Sequence, residues 1–333
     1  MFLRDCGWHL ARRTPLADDA SARRYLRLVD GDRSAILMDA PPAHMSVVPF
    51  LRIARHLTGL GFSAPEIYAQ DETCGLVLLE DFGDDTYNRM LRSDPKCEAG
   101  LYGLAVDVLS TLHRLPEEDA VPVDVPAYSE DILLDGVSQF ILHYVPQTGG
   151  NPFPSSVSDE FHTLWMTALK PVFRQPKTLV LRDFHVDNLI RLNGREGIRG
   201  CGLLDFQDAT VGAGAYDLMS LLEDARRDID VNFANDMRER YFQAMNMTAP
   251  ERHAFDVVYA ILGAQRHTRV IGIFTRLCVR DAKPAYLVHI PRVWKLLERS
   301  LCHPALTDLK TWFDNHIPED KRGIPALLAD QIK

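Results

Sequence analysis

The residue pattern predicts an α+β chain of two lobes, a small antiparallel-sheet lobe followed by a mainly helical one, and three observations carry that prediction. At 333 residues the chain exceeds what a single hydrophobic core usually organises. Its first ninety or so residues run in short apolar segments broken by turn residues, as strands do. From about residue 95 onward apolar positions recur every three and four residues, as helices require.

Taken in order, RRYLRLV and SAILMDA flank the turn-prone DGDR and read as a hairpin ended by Pro41 and Pro42. Apolar residues at 47, 50, 51, 53, 54, 57 and 60 then fall on one helical face, closed by Gly59 and Gly61. LGFSAPEIYAQ and GLVLLEDFG supply two further strands, which places the lobe boundary after residue 84 and leaves 85–333 to the second lobe. There Leu101, Leu104, Ala105, Val108, Leu109 and Leu112 mark one helix face, stopped by Pro116. The segment TGGNPFPSSVS reads as an exposed loop, and most of the chain beyond residue 215 reads as helix.

Composition excludes several classes. With 37 basic and 46 acidic residues the formal charge is −9, and the acidic residues are spread along the chain, which argues against nucleic acid as the main partner. The cysteines at 6, 74, 97, 201, 278 and 302 form no CxxC pair and no disulfide or structural zinc pattern, so reduced thiols are expected. Charges interrupt every apolar run of MFLRDCGWHLARR, and no stretch approaches the roughly 18 apolar residues needed to span a bilayer. The expectation is a soluble, cytoplasmic protein without a membrane partner.

The informative chemistry begins at KTLVLRDFHVDNLI, where an apolar run leads into Asp183, Asp187 and Asn188. Some fifteen residues later GLLDFQDA ends a second apolar run in Asp205 and Asp208. Two such strand ends, if paired, point both polar sets at one place. One carboxylate to orient and deprotonate an alcohol, with an amide and a second carboxylate to hold Mg²⁺ against nucleotide phosphates, is what phosphoryl transfer requires. The spacing Asp-x4-Asn followed by Asp-Phe-x assigns Asp183 as the base and Asn188 and Asp205 as metal ligands. An isolated Asp-x4-Asn would read better as a turn bonding its own backbone, and it is the downstream LLDFQDA that reverses this.

VLRDFHVDNLI resembles the His-Gly-Asp-x-His-x-x-Asn loop of aminoglycoside and choline kinase relatives, with Leu181 at the usual His position, and LLDFQDA resembles their metal element. The resemblance implies a two-lobed, protein-kinase-like fold that uses ATP and Mg²⁺. GAGAYDLMSLL is similar to the family's Pro-x-x-Asp-Leu-Ala stretch, which implies a buried structural role for Asp217. SARRYLRL with ILMDAPP, LLEDFGDDTY, the motif pair, and GAQRHTRVIGIFTRL with YLVHIPRVW together resemble the bacterial anomeric N-acetylmuramate and N-acetylglucosamine kinases of cell-wall recycling.

Such kinases place a phosphate-binding lysine on the third strand, paired with a helix glutamate. This chain has no lysine before Lys96 and no glutamate before Glu66, and the strand position carries Met38. An arginine must then supply the charge, with Arg23 or Arg24 the nearest candidates; on a strand Arg23 and Arg27 share one face and Arg24 takes the other. The resemblance further implies adenine contacts from the backbone of Glu80 to Phe82; by position the candidate sugar contacts are His185 and Asp208, then Tyr144 and Arg266, the last two reading better as packing and ion-pair residues. His185 reads equally as a support for the loop, and Asp208 equally as a loop cap. The rival readings are a kinase of another small alcohol and a nucleotide-binding pseudokinase.

Overall fold

Alternating apolar residues build a five-stranded sheet in the computed structural model, which describes residues 1–16, 23–43, 45–149 and 152–332. Ser21 and Ala22 of SARRYLRL, and Gly150 and Asn151 of the expected loop, lie outside the described residues. The strands are β1 (Arg12–Pro15), β2 (Arg24–Asp30), β3 (Arg33–Asp39), β4 (Ile67–Asp71) and β5 (Leu76–Leu79). Their order is β1-β2-β3-β5-β4, every neighbouring pair antiparallel. The expected hairpin is β2–β3, turning on Gly31 and Asp32, and Gly31 takes a left-handed φ of 60° that a tight hairpin turn needs.

The register sorts the side chains into two faces. Leu26 pairs with Leu37 and Leu28 with Ala35, and these pack with Leu78 against Trp8 and Ala11. Tyr25, Arg27, Ile36 and Leu79 occupy the opposite face. The expected helix follows as Val48–Gly59, burying Phe50, Leu51, Ile53, Ala54 and Leu57. Glu98–His113 supplies the next long helix, with Leu101, Ala105, Val108, Leu109 and Leu112 inward.

The chain divides into two compact units, residues 1–125 with 181–209, and residues 126–180 with 210–333. This differs from a single cut after residue 84. The reason lies in how 181–209 is anchored: Leu203 N–H donates to Ser63 O at 2.8 Å, Arg191 N–H to Asp85 O at 2.8 Å, and Ser63 Oγ to Arg199 O at 2.7 Å. Arg195 adds a bond to Ser63 Oγ at 2.9 Å and an ion pair with Glu80.

The second unit is built on the helix Ala249–Asp281, opened by a capping box between Thr248 and Glu251. It crosses the helix Glu130–Gln139 so closely that a Cβ on Gly272 would stand 2.3 Å from the Gln139 carbonyl carbon. Only glycine fits there, which explains one residue of the GAQRHTRVIGIF segment. Beside it Phe140, Tyr144, Trp294 and Phe313 pack ring against ring. The expected 148–158 loop is shorter than its composition suggested, because Ser155 already begins the helix Ser155–Leu169. Pairing also departs from expectation. The strand before Asp183, Lys177–Val180, pairs with Thr210–Ala213, whereas the GLLDF strand, Cys201–Leu203, pairs with Leu189–Arg191.

Candidate active site

The Leu189–Arg191 and Cys201–Leu203 pairing explains why two distant motifs meet. Leu189 faces Leu203 in the ladder, so Asn188, just before one strand, lies beside Leu204, just after the other. Leu204 N–H donates to Asn188 O at 3.0 Å, and Asp205 follows directly. Asn188 Nδ2 lies 3.5 Å from Asp205 Oδ2, and both residues line one cavity of the first unit.

Burial at the centre of the 183–188 segment holds it in place. Phe184, His185 and Val186 are buried, while Asp183 before them and Asp187 and Asn188 after them keep partial exposure. Asn88, in the helix Tyr87–Ser93, donates its backbone N–H to Val186 O at 3.1 Å and its side-chain amide to Asp187. Asn188 Nδ2 donates to the Asp183 carbonyl at 2.9 Å. That bond sets the amide orientation with Nδ2 toward the loop backbone. Arg182, with φ 68°, and Asp205, with φ 57°, both take the left-handed region, uncommon for side chains of this size and concentrated at functional sites.

Asp205 is positioned by its neighbours. Phe206 stacks on Phe50 at 5.2 Å between ring centroids, and Gln207 Nε2 donates to Asp205 Oδ1 at 2.6 Å. One carboxylate and one amide oxygen form a hard donor pair, the protein share that Mg²⁺ accepts when phosphates and water complete its shell. The residues present therefore fit that ion in a nucleotide complex.

The roof of the cavity is the inner face of the sheet, with Tyr25, Arg27, Ile36 and Leu79, and its edge is Glu80 to Gly83. Arg27, not Arg23 or Arg24, is the basic residue that lines it. Its guanidinium lies 2.8 Å from Asp81 Oδ2, 3.0 Å from Asp81 Oδ1 and 2.9 Å from Asp84. Burial alone would lower its pKa, but the bonds to Asp84 and Asp81 outweigh burial and raise it. Arg24 turns the other way, 3.6 Å from Asp39 and largely exposed, and Arg23 precedes the strand and is absent from the lining. Met38 is fully buried and does not line the cavity; Ile36, two residues earlier on the same face, does.

Glu80 and Phe82 both line the cavity. The Glu80 amide is already bonded to Glu66 O at 2.9 Å, and Arg195 holds the Glu80 carboxylate and lies over the Phe82 ring at 5.4 Å. His185 is buried within its loop, Nε2 3.3 Å from Asn188 Nδ2 and Nδ1 4.0 Å from Asp187, the geometry of a loop support. Asp208 is exposed, and its carbonyl accepts from Arg182 at 3.2 Å.

The other two sugar candidates belong to the second unit and to its packed interior. Tyr144 has no exposed surface; its hydroxyl accepts from Trp294 Nε1 at 2.9 Å and donates to the Gly323 carbonyl at 2.8 Å, and burial pushes its pKa up to about 12. Those bonds make it a core joint rather than a sugar contact. Arg266 is 6% exposed in the middle of the helix Ala249–Asp281. Asp217, for which the resemblance implied a buried structural role, is fully buried. Gln207 was not named from sequence, and Arg27 was named only as sharing Arg23's strand face. For Arg27 the strand alternation was a usable signal, and for Gln207 there was none.

Comparison with known proteins accords with this geometry. The model of the phosphotransferase enzyme family matches residues 12–255. The chain is 34% identical to an N-acetylmuramate/N-acetylglucosamine kinase of Caulobacter vibrioides, with 96% of each covered. It is 33% identical to the Pseudomonas aeruginosa protein of the same name, covering 89% of this chain and 86% of the relative. A choline/ethanolamine kinase family protein from Mesorhizobium loti superposes with a TM-score of 0.61 at 14% identity, over 92% of this chain and 93% of the other. An ADP-bound aminoglycoside phosphotransferase does so with 0.56 at 17%, over 89% and 95%. At such identities the likeness speaks for the fold, which is protein-kinase-like.

Proposed function

The chain belongs to the phosphotransferase enzyme family, and from that premise we propose that it transfers the γ-phosphoryl group of ATP to the anomeric hydroxyl of N-acetylmuramate and N-acetylglucosamine, in cell-wall sugar recycling. The observation that carries the chemistry is the approach of Asn188 and Asp205 to 3.5 Å in one cavity beneath the sheet. The sugar rests on the relatives of that name, 32% to 34% identical over most of the chain.

Asp183 takes the proton of the sugar hydroxyl as its oxygen forms the bond to phosphorus and ADP leaves with the bond it had shared. Asn188 and the Asp205 carboxylate would hold Mg²⁺, which when bound would neutralise charge on the phosphates. The Glu80 carbonyl and the Phe82 amide meet the base edge. Arg27 supplies positive charge on the nucleotide side, held in place by Asp81, in the role that the absent lysine leaves open. Positioning and charge neutralisation do most of the work.

A panel of N-acetylmuramate, N-acetylglucosamine, choline and an aminoglycoside, each with ATP and Mg²⁺, tests the reading. Phosphate on the anomeric oxygen, identified by its ³¹P coupling, is the expected product. Turnover of choline or the aminoglycoside instead would replace the substrate class. ATP binding with no alcohol phosphorylated would favour a pseudokinase.

A further inference from the structure

Gln207 follows the Asp-Phe pair of the metal element and is 7% exposed. Its Nε2 donates to Asp205 Oδ1 at 2.6 Å. The reverse amide orientation would set two oxygens at that separation, so the donor end must face the carboxylate. The other end, Oε1, is buried and has no hydrogen-bond partner among the described residues. A side chain kept there for packing alone would carry no amide. Methionine or leucine would fill a similar volume without burying an unsatisfied acceptor. The arrangement is explained if the donor bond to Asp205 is what the position is for.

We propose that Gln207 is a positioning residue for the cation site, acting through Asp205. Its N–H holds Oδ1, and so turns Oδ2, the oxygen 3.5 Å from Asn188 Nδ2, toward the space that Asn188 shares. Phe206, stacked on Phe50, fixes the backbone between the two residues, so the amide has one direction in which to reach. Carboxylate ligands work best when their second oxygen is itself hydrogen-bonded, because the bond fixes orientation before the ion arrives. A neutral amide does this without cancelling the charge the ion needs. The inference rests on the reading of Asp205 and Asn188 as the metal pair.

The test is Mn²⁺ binding to the ADP complex, followed by electron paramagnetic resonance, for the whole chain and two variants. Gln207→Met removes the donor at nearly constant volume. Gln207→Asn keeps an amide but withdraws it by one methylene. Both are expected to weaken Mn²⁺ binding by about tenfold, to raise the KM for Mg-ATP more than they lower kcat, and to leave metal-free ADP affinity unchanged. Gln207→Met is also expected to melt no lower than wild type, since it removes a buried unsatisfied acceptor. Wild-type Mn²⁺ affinity in both variants would overturn the inference, whatever their melting temperatures, because a purely structural residue would lower stability and spare the metal. A wild-type protein that binds no Mn²⁺ with ADP would instead overturn the reading of Asp205 and Asn188.

Discussion

Two carboxylates, one in each unit, are held in contrasting ways, one as a structural joint and one at the site proposed for the cation. Glu223, in the second unit, is buried and has both oxygens engaged: Oε2 lies 2.6 Å from His267 Nε2 and Oε1 lies 3.0 Å from Arg299 Nη2. Burial alone would raise its pKa, but the bond to His267 and the charges of His267 and Arg299 outweigh burial and hold the carboxyl below its ordinary value. Asp205, in the first unit, is partly exposed, takes a left-handed φ of 57°, and is gripped by the amides of Gln207 and Asn188. Amides orient a carboxylate without cancelling its charge. The first arrangement completes a fold, and the second leaves a carboxylate oriented and partly open, as the proposed role of Asp205 in holding a cation requires.

That contrast can be broken most sharply at Asp183. Asp183→Asn is expected to lower kcat by about 10³-fold or more, in the upper part of the range for a general base, with a melting temperature close to wild type. Retained turnover in a steady-state assay would remove Asp183 as the base. Next in size is Glu223→Ala, expected to destabilise the chain by about 3–5 kcal/mol, because it leaves His267 and Arg299 without their shared partner. Denaturant unfolding measures this, and a loss below about 1 kcal/mol would mean that Glu223 is not the joint described.

The same cluster sets a pH dependence with a definite sign. Burial lowers the pKa of His267 below 6.5, against the opposing pull of Glu223, so the folded state binds its proton later than the unfolded chain does. Its contribution to stability is therefore present above pH 6.5 and declines as pH falls below that value. The slope is up to about 1.4 kcal/mol per pH unit for one group. Glu223, also lowered, adds a further loss at more acid pH. Melting curves from pH 8 to pH 4, as a round range for the titration, should show that decline, and His267→Gln should flatten its upper part. The smallest expected effect is at Arg27: Arg27→Gln should weaken nucleotide binding by about tenfold, roughly 1.4 kcal/mol, measured by calorimetry with ADP. An unchanged affinity would show that Arg27 serves only Asp81 and Asp84.

What could be read from the amino-acid pattern follows from how local each signal was. The β2–β3 hairpin, the 48–59 helix and the 98–113 helix were legible because period and turn residues lie within a few positions of one another. The meeting of Asn188 and Asp205 was legible because residue type and spacing placed them at the ends of two apolar runs. β1 was not, since Arg12–Pro15 is exposed along its whole length and has no apolar alternation to betray it. Nor was the pairing of Leu189–Arg191 with Cys201–Leu203, whose three-residue strands are matched by anchors as distant as Ser63 and Asp85. Tyr144 as a packing residue was the favoured reading, and a sugar contact was kept open for a related reason. Its hydroxyl partners Trp294 and Gly323 come from far along the chain, so an aromatic with a polar tip looked available for a sugar.

The most direct measurement is Mn²⁺ titration of the ADP complex of wild type beside Asp205→Asn, with metal-free ADP binding followed in parallel. Wild type is expected to bind the ion, and Asp205→Asn to bind it about a hundredfold more weakly while binding ADP alone equally well. Equal Mn²⁺ affinity in the two proteins would contradict the account, because Asp205 and Asn188 would then not be holding the ion.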